Sequence, residues 1–157
     1  MDSEEKSLCN INQIIETALM LIKPQLNSEI AIQTNFGNLQ QVKVFPGKLS
    51  QVFVNILGNA IDAIHSVEKS TKKHTISITT NEIDGIIAIE FSDTGNGIPD
   101  KVLSKIFDPF YTTKEVGKGT GLGMSIATSI IEEHNGKISA KNNTDSGATF
   151  KIQMPVK

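Results

Sequence analysis

Apolar residues recur at helical spacing in three places along the chain. Ile11, Ile14, Ile15, Ala18, Leu19 and Ile22 fall on one stripe and predict a first helix. Asn10 stands ahead of it as an N-cap, with Gln13 three residues on in the capping-box position. Pro24 should end or kink it. The second pattern is the clearest: Leu49, Val52, Phe53, Ile56, Leu57, Ala60, Ile61 and Ile64 repeat at the three-and-four spacing. The third places Ile126, Ala127, Ile130 and Ile131 inward on a helix that Thr120 can cap. Asn135-Gly136 stops that helix, and His134 at its end faces the last carbonyls and the dipole.

Between the helices the apolar period changes to two. Residues 29–36 alternate well enough for a strand, and residues 42–45 read as a short edge strand closed by Pro46-Gly47. Residues 75–81, with Ile76 and Ile78 on one face, run into the turn Asp84-Gly85. Residues 86–92 return with Ile87, Ile89 and Phe91 on one face. Residues 137–142 and 148–154 form a last hairpin across 143–147. The polar start, residues 1–9, reads as a linker tail, and residues 10–157 as one domain. The order of elements predicts an α+β fold: a two-layer sandwich with three main helices on one face of a mixed, mostly antiparallel sheet of about five strands.

Composition narrows the picture. The chain of 157 residues is 38% hydrophobic and 20% charged, an ordinary globular balance with enough apolar residues for a core. A net charge of −2 gives no basic field for nucleic acid or for direct contact with a membrane. The one cysteine, Cys9, excludes an internal disulfide and a multi-cysteine zinc site. Without a signal-peptide pattern or a spanning apolar run, the reducing cytoplasm is the default setting.

Candidate chemistry concentrates between residues 93 and 124. DTGNGI begins this stretch at Asp93 and GKGTGLGM ends it at Met124, with FDPFYTTK at 107–114 between them as a lid. Six glycines (95, 97, 117, 119, 121 and 123) let backbone amides approach an anion at a helix start. Asp93 ends a buried strand, where its carboxylate can accept from an amine in a pocket or bond its own turn backbone. On the second helix Asn55, Asn59 and Asp62 share a face about 140° from the apolar stripe. From the helix alone, that row reads equally as a solvated face or as oxygen ligands for a hard cation such as Mg²⁺ carrying phosphates. The lack of GxxxxGK[ST] counts against a P-loop enzyme, and the glycines lack the βαβ setting of a dinucleotide-binding turn.

Together QVFVNILGNAIDAI, DTGNGI, FDPFYTT, GKGTGLGM and GATFKIQMP resemble the N box, first glycine box, F box, second glycine box and closing strand of sensor histidine kinase catalytic domains. Those domains have the Bergerat fold of the GHKL ATPase superfamily, and the resemblance runs from about Ile11 to Pro155. It implies ATP and Mg²⁺ as ligands. Asn59 and Asn55 would hold Mg²⁺ and the phosphates, with Asp62 beside them. Asp93 would bind the adenine amine, Gly95 and Gly97 would shape its pocket, Ile98 would be an apolar wall, and Thr149 would bond near the base. Gly119, Gly121, Leu122 and Gly123 would offer amides to the phosphates, with Gly117, Thr120 and Met124 in the same site. Phe107 and Phe110 would anchor the lid, and Lys114 would supply catalytic positive charge.

The departures are specific. Hydrolytic relatives carry a glutamate where this chain has Asn55, so slow hydrolysis is expected and transfer is favoured. Thr112 stands where many kinases have an arginine, and Phe45 where a small acidic residue often precedes the proline. None of His65, His74 and His134 sits in a phosphoacceptor motif. The resemblance therefore implies an isolated, monomeric catalytic domain. Its partners would be a histidine-bearing dimerisation domain and the receiver domain of a response regulator, with any membrane anchor elsewhere in the parent kinase. The alternatives are a GHKL-type ATPase, or an anti-sigma-like serine kinase or nucleotide-binding module.

Overall fold

The computed structural model describes residues 5–67, 73–109 and 123–157. The chain begins with β1 (Ser7–Cys9), α1 (Ile11–Ile22) and a single 3₁₀ turn (Lys23–Gln25). There follow β2 (Ile30–Phe36), β3 (Val42–Val44), α2 (Pro46–His65), β4 (His74–Ile83) and β5 (Ile86–Asp93). The last part is α3 (Asp100–Leu103), α4 (Gly123–Glu133), β6 (Lys137–Asn142) and β7 (Ala148–Pro155).

Five strands form the main sheet in the order β2-β4-β5-β7-β6. Only β2 and β4 run parallel, and the crossover between them contains α2, as parallel neighbours require. The other pairs are antiparallel. Asp84 and Gly85 join β4 to β5 with φ of 53° and 78°, the two left-handed residues of a type I′ hairpin. This is the mixed, mostly antiparallel sheet expected from the alternating segments.

Strand register explains where the core lies. Ile78, Phe91, Phe150 and Ala140 pair in a row across four strands, and Thr80, Ile89, Ile152 and Ile138 in the next. These positions lie under the helices: α2 packs against α1, α4 and β5. All eight residues of the α2 stripe are buried. Phe53 of α2 meets Phe91 of β5 with ring centroids 5.6 Å apart. Side chains of this size contribute about 1.5–3 kcal/mol each on burial, so this stripe is a principal hold on the sheet.

Two expectations are corrected in detail. Ser7–Cys9 pairs antiparallel with β3 instead of trailing as a tail, so residues 42–44 form a two-stranded ribbon outside the main sheet. Ile126 is 47% exposed; the inward positions of α4 are Met124, Ala127, Ile130 and Ile131. The stop at Asn135-Gly136 stands, with Asn135 at positive φ, 59°. Gly136 N–H then donates to Ile131 O and Asn135 N–H to Glu132 O, the two bonds of a Schellman motif.

Candidate active site

The polar row of α2 lies away from the core stripe and faces a cavity of about 360 Å³. Asn59 and Asp62, with Ala63 and Ser66 one turn further along the same face, form one wall. The end of β5 and the glycine turn supply Asp93, Gly97, Ile98 and Pro99. Val102 and Ile106 close a second side, Met124 contributes from the start of α4, and Ala148 and Phe150 rise from β7. The cavity is mostly apolar, with a few polar groups converging on it, as expected of a small-molecule site.

Asp93 occupies the last inward position of β5, in phase with Ile87, Ile89 and Phe91, and is buried. Its Oδ1 accepts from the Gly95 N–H at 2.9 Å and the Ala148 N–H at 3.3 Å. Both bonds fall on one oxygen, so they do not consume the other. Burial pushes the carboxyl above its ordinary value, and the two amides and the nearby His74 only partly offset this. A buried carboxylate held raised in this way is poised to gain from a donor that enters the cavity. Gly95 owes its place to close approach: a Cβ there would lie 2.6 Å from the Ala63 carbonyl carbon.

Of the residues expected at the site, the structure brings Asn59, Asp62, Asp93, Gly97, Ile98 and Met124 together around one cavity, with Gly95 beneath its turn. Asn55 lies one turn before Asn59 and is not part of the cavity wall. Thr149 is turned away. Neighbours along β7 alternate in direction, and while Ala148 and Phe150 face the cavity, the Thr149 hydroxyl donates to Asn143 Oδ1 (2.6 Å) and pairs with Ser92 Oγ (3.0 Å). The expected bond from Thr149 to a base has no geometric support. Gly123 opens α4. Lys114, Gly117, Gly119, Thr120, Gly121 and Leu122 lie outside the described residues, as do Phe110 and Thr112. Phe107 packs edge-on against Phe150, centroids 6.2 Å apart.

Ala63, Ser66, Val102, Ile106, Ala148 and Phe150 were not singled out from sequence. Ala63 and Ser66 follow from Asn59 and Asp62 by the four-residue helical step, a signal that was present. Val102 and Ile106 had no such partner pattern. Among the described residues no cluster of three or more His, Cys, Asp or Glu could hold a metal. Mg²⁺ keeps several waters and takes other oxygens from phosphates, so the oxygens of Asn59 and Asp62 on one wall are a fitting protein share. No described helix is long and apolar enough to cross a membrane.

Comparison with known proteins points to the same place. The profile for the histidine kinase-, DNA gyrase B- and HSP90-like ATPases matches residues 46–157. The sensor kinase CckA of Brucella abortus is 36% identical over 157 residues, which covers 93% of this chain and 16% of that protein's length. The chain thus spans a small part of that relative. The catalytic domain of histidine kinase ThkA superposes with a TM-score of 0.80 at 30% identity, covering 97% of this chain and 96% of that one. ThkA in complex with the response regulator TrrA superposes at 0.73 and 24% identity, over 97% of this chain and 42% of that one, a likeness of fold. The profile covers well over half of the sequence, and the chain therefore belongs to the histidine kinase-, DNA gyrase B- and HSP90-like ATPase family, as a histidine kinase ATPase catalytic domain.

Proposed function

We propose that this ATP-binding domain presents the γ-phosphoryl group of Mg²⁺-bound ATP to a histidine on a separate helical dimerisation domain, for onward transfer to a response regulator receiver. The observation that carries this reading is the buried, upshifted carboxylate of Asp93 in a cavity that Asn59 and Asp62 of α2 also line. The carboxylate at Asp93 accepts from the adenine amine and so selects the base. Ile98, Val102 and Phe150 give the base apolar surface and exclude water. Asn59, with Asp62, orients the phosphates from α2, and these residues would hold Mg²⁺. The bound ion would offset the charge on the phosphate oxygens.

Catalysis on this reading is positioning and charge stabilisation. Lys114 and the glycines at 117–123 serve the γ-phosphoryl end of the site. An imidazole nitrogen of the partner bonds to phosphorus as the bond to the bridging oxygen of ADP breaks. Asn55 carries no basic group, so the chain offers no base there to activate water, which favours transfer over hydrolysis. ThkA, solved with a response regulator, supports the onward step by analogy. The setting is the cytoplasm, and the domain alone is a monomer. Incubation with labelled ATP and a helical, histidine-bearing partner tests the reading. Acid-labile label on that partner is the expected result; acid-stable label on serine, or rapid release of inorganic phosphate alone, would contradict it.

A further inference from the structure

The glycine turn at 94–99 has no ladder of its own, since none of it is helix or strand. Besides a backbone bond from Asn96 N–H to Ala63 O at 3.4 Å, side chains hold it. Asn96 ties the first half to α2, its Nδ2 donating to Ser66 Oγ at 2.9 Å. The second half is tied to the end of β6. Ile98 N–H donates to Asn142 Oδ1 at 2.7 Å, and Asn142 Nδ2 donates to Ile98 O at 2.7 Å. One side-chain amide thus makes the pair of bonds that an antiparallel strand residue would make. Because Ile98 offers one donor and one acceptor, the orientation of the amide is fixed too.

The adjacent residue locks the same hairpin to Asp93. Asn143 Nδ2 donates to Asp93 O and to Ser92 Oγ, both at 3.1 Å. Gly147, at φ +83°, passes so close that a Cβ would fall 1.9 Å from Asp93 O. The β6–β7 hairpin therefore holds Asp93 through Asn143 and Ile98 through Asn142. Phe107, at the far end of the segment that carries Val102 and Ile106, packs on Phe150 of the same hairpin.

We propose that Asn142 is a positioning residue for nucleotide recognition: its amide clip on Ile98 sets the distance between the apolar wall and the Asp93 carboxylate. The inference rests on the reading of this cavity as the base site. It assigns adenine selectivity partly to a residue that does not line the cavity. Asn142 is exposed, so replacing it should cost the fold little.

The test is calorimetric affinity for non-hydrolysable ATP and GTP analogues, well below the melting temperature, in the parent chain, Asn142→Ala, Asn142→Asp and the same-strand control Lys141→Ala. Loss of two neutral hydrogen bonds should lower ATP affinity about tenfold in Asn142→Ala, and the preference for ATP over GTP should narrow. Asn142→Asp keeps the acceptor for Ile98 N–H but sets a carboxylate oxygen against Ile98 O, so it too should lose affinity and narrow the preference. Lys141→Ala should match the parent. Parent-like affinity in Asn142→Ala, or a lower melting temperature with unchanged ATP-over-GTP preference, would overturn the positioning role and leave the base site standing. A parent chain that binds neither analogue would overturn both. Should Asn142→Ala fail to fold, Asn142→Asp reads the same ratio.

Discussion

Asp93 carries an electrostatic cost in the free domain. Its carboxylate is buried with its pKa raised, so in the free domain the ionised form is disfavoured. The raised folded pKa means its stabilising share is full below the unfolded pKa and is lost as pH rises through the folded value. Asp93→Asn keeps an oxygen for the Gly95 and Ala148 amides and removes the charge. That variant should melt at an equal or higher temperature yet discriminate ATP from GTP less well, a trade of stability against function. Differential scanning fluorimetry alongside nucleotide titration checks it; unchanged discrimination would make Asp93 a turn residue only. Acidification through the raised pKa should likewise weaken nucleotide binding before an ordinary aspartate would protonate.

His134 shows the opposite sign. Its Nε2 accepts from Phe45 N–H at 3.1 Å and its Nδ1 bonds Ile130 O at 2.7 Å, so the neutral ring with hydrogen on Nδ1 is the form that fits. Burial lowers its pKa, with Lys6 and Lys48 adding to this and the Ile130 bond and Glu133 opposing it. A depressed folded pKa contributes stability above the unfolded value of 6.5, lost as pH falls through and below it. The domain should therefore lose thermal stability between neutral and mildly acidic pH. His134→Ala should remove that dependence and cost about 1–3 kcal/mol by stranding the Phe45 donor. A pH-independent melting curve in the parent would refute the assignment. The sequence placed His134 at the last carbonyls; its second bond, to a residue far away in the chain, was not readable there.

At the scale of elements, α2 serves two faces at once: a wholly buried apolar stripe and a polar face that lines the cavity. The stripe was legible because eight residues repeat at one period, and the polar face because short Asn and Asp side chains replace the usual long charges. The glycine turn depends on this helix. Gly95→Ala would press a methyl against the Ala63 backbone, which cannot yield as a flexible side chain could. Expected are a lower melting temperature and a loss of nucleotide binding at a temperature where the variant is still folded; retained affinity would show that the turn need not approach α2. Parity along strands explains one success and one error. Asp93 shares the inward phase of Ile87, Ile89 and Phe91, so its burial could be read from the alternation. Thr149 lies out of phase with Ala148 and Phe150, and the same rule would have turned it from the cavity. On α4, Ile126 stands about 100° round the helix from Ala127, and taking Met124 as the first inward residue would have set the register.

At the scale of the whole molecule, the cavity exists because distant segments meet. Wall residues come from α2 and its C-cap, the end of β5, the turn before α3, α3 and the segment after it, the start of α4, and β7. The layers followed from the order of helical and alternating segments. The pairing of β1 with β3 did not, because a three-residue strand carries too little pattern. Nor did the parallel pairing of β2 with β4, since a strand's alternation does not name its neighbour. Motif spacing located Asn59, Asp93 and the glycine turn; the hairpin that fixes Asp93 and the turn to one another lay in asparagines that resemble ordinary turn residues.

The central claim is that this cavity is an ATP site completed by Mg²⁺ on the α2 wall. Calorimetric titration with a non-hydrolysable ATP analogue, with and without Mg²⁺, on the parent chain and Asn59→Ala tests it most directly. The account predicts saturable binding that Mg²⁺ strengthens in the parent, with the Mg²⁺-dependent part gone in Asn59→Ala. No binding at millimolar nucleotide, or equal Mg²⁺ enhancement in parent and variant, would contradict it.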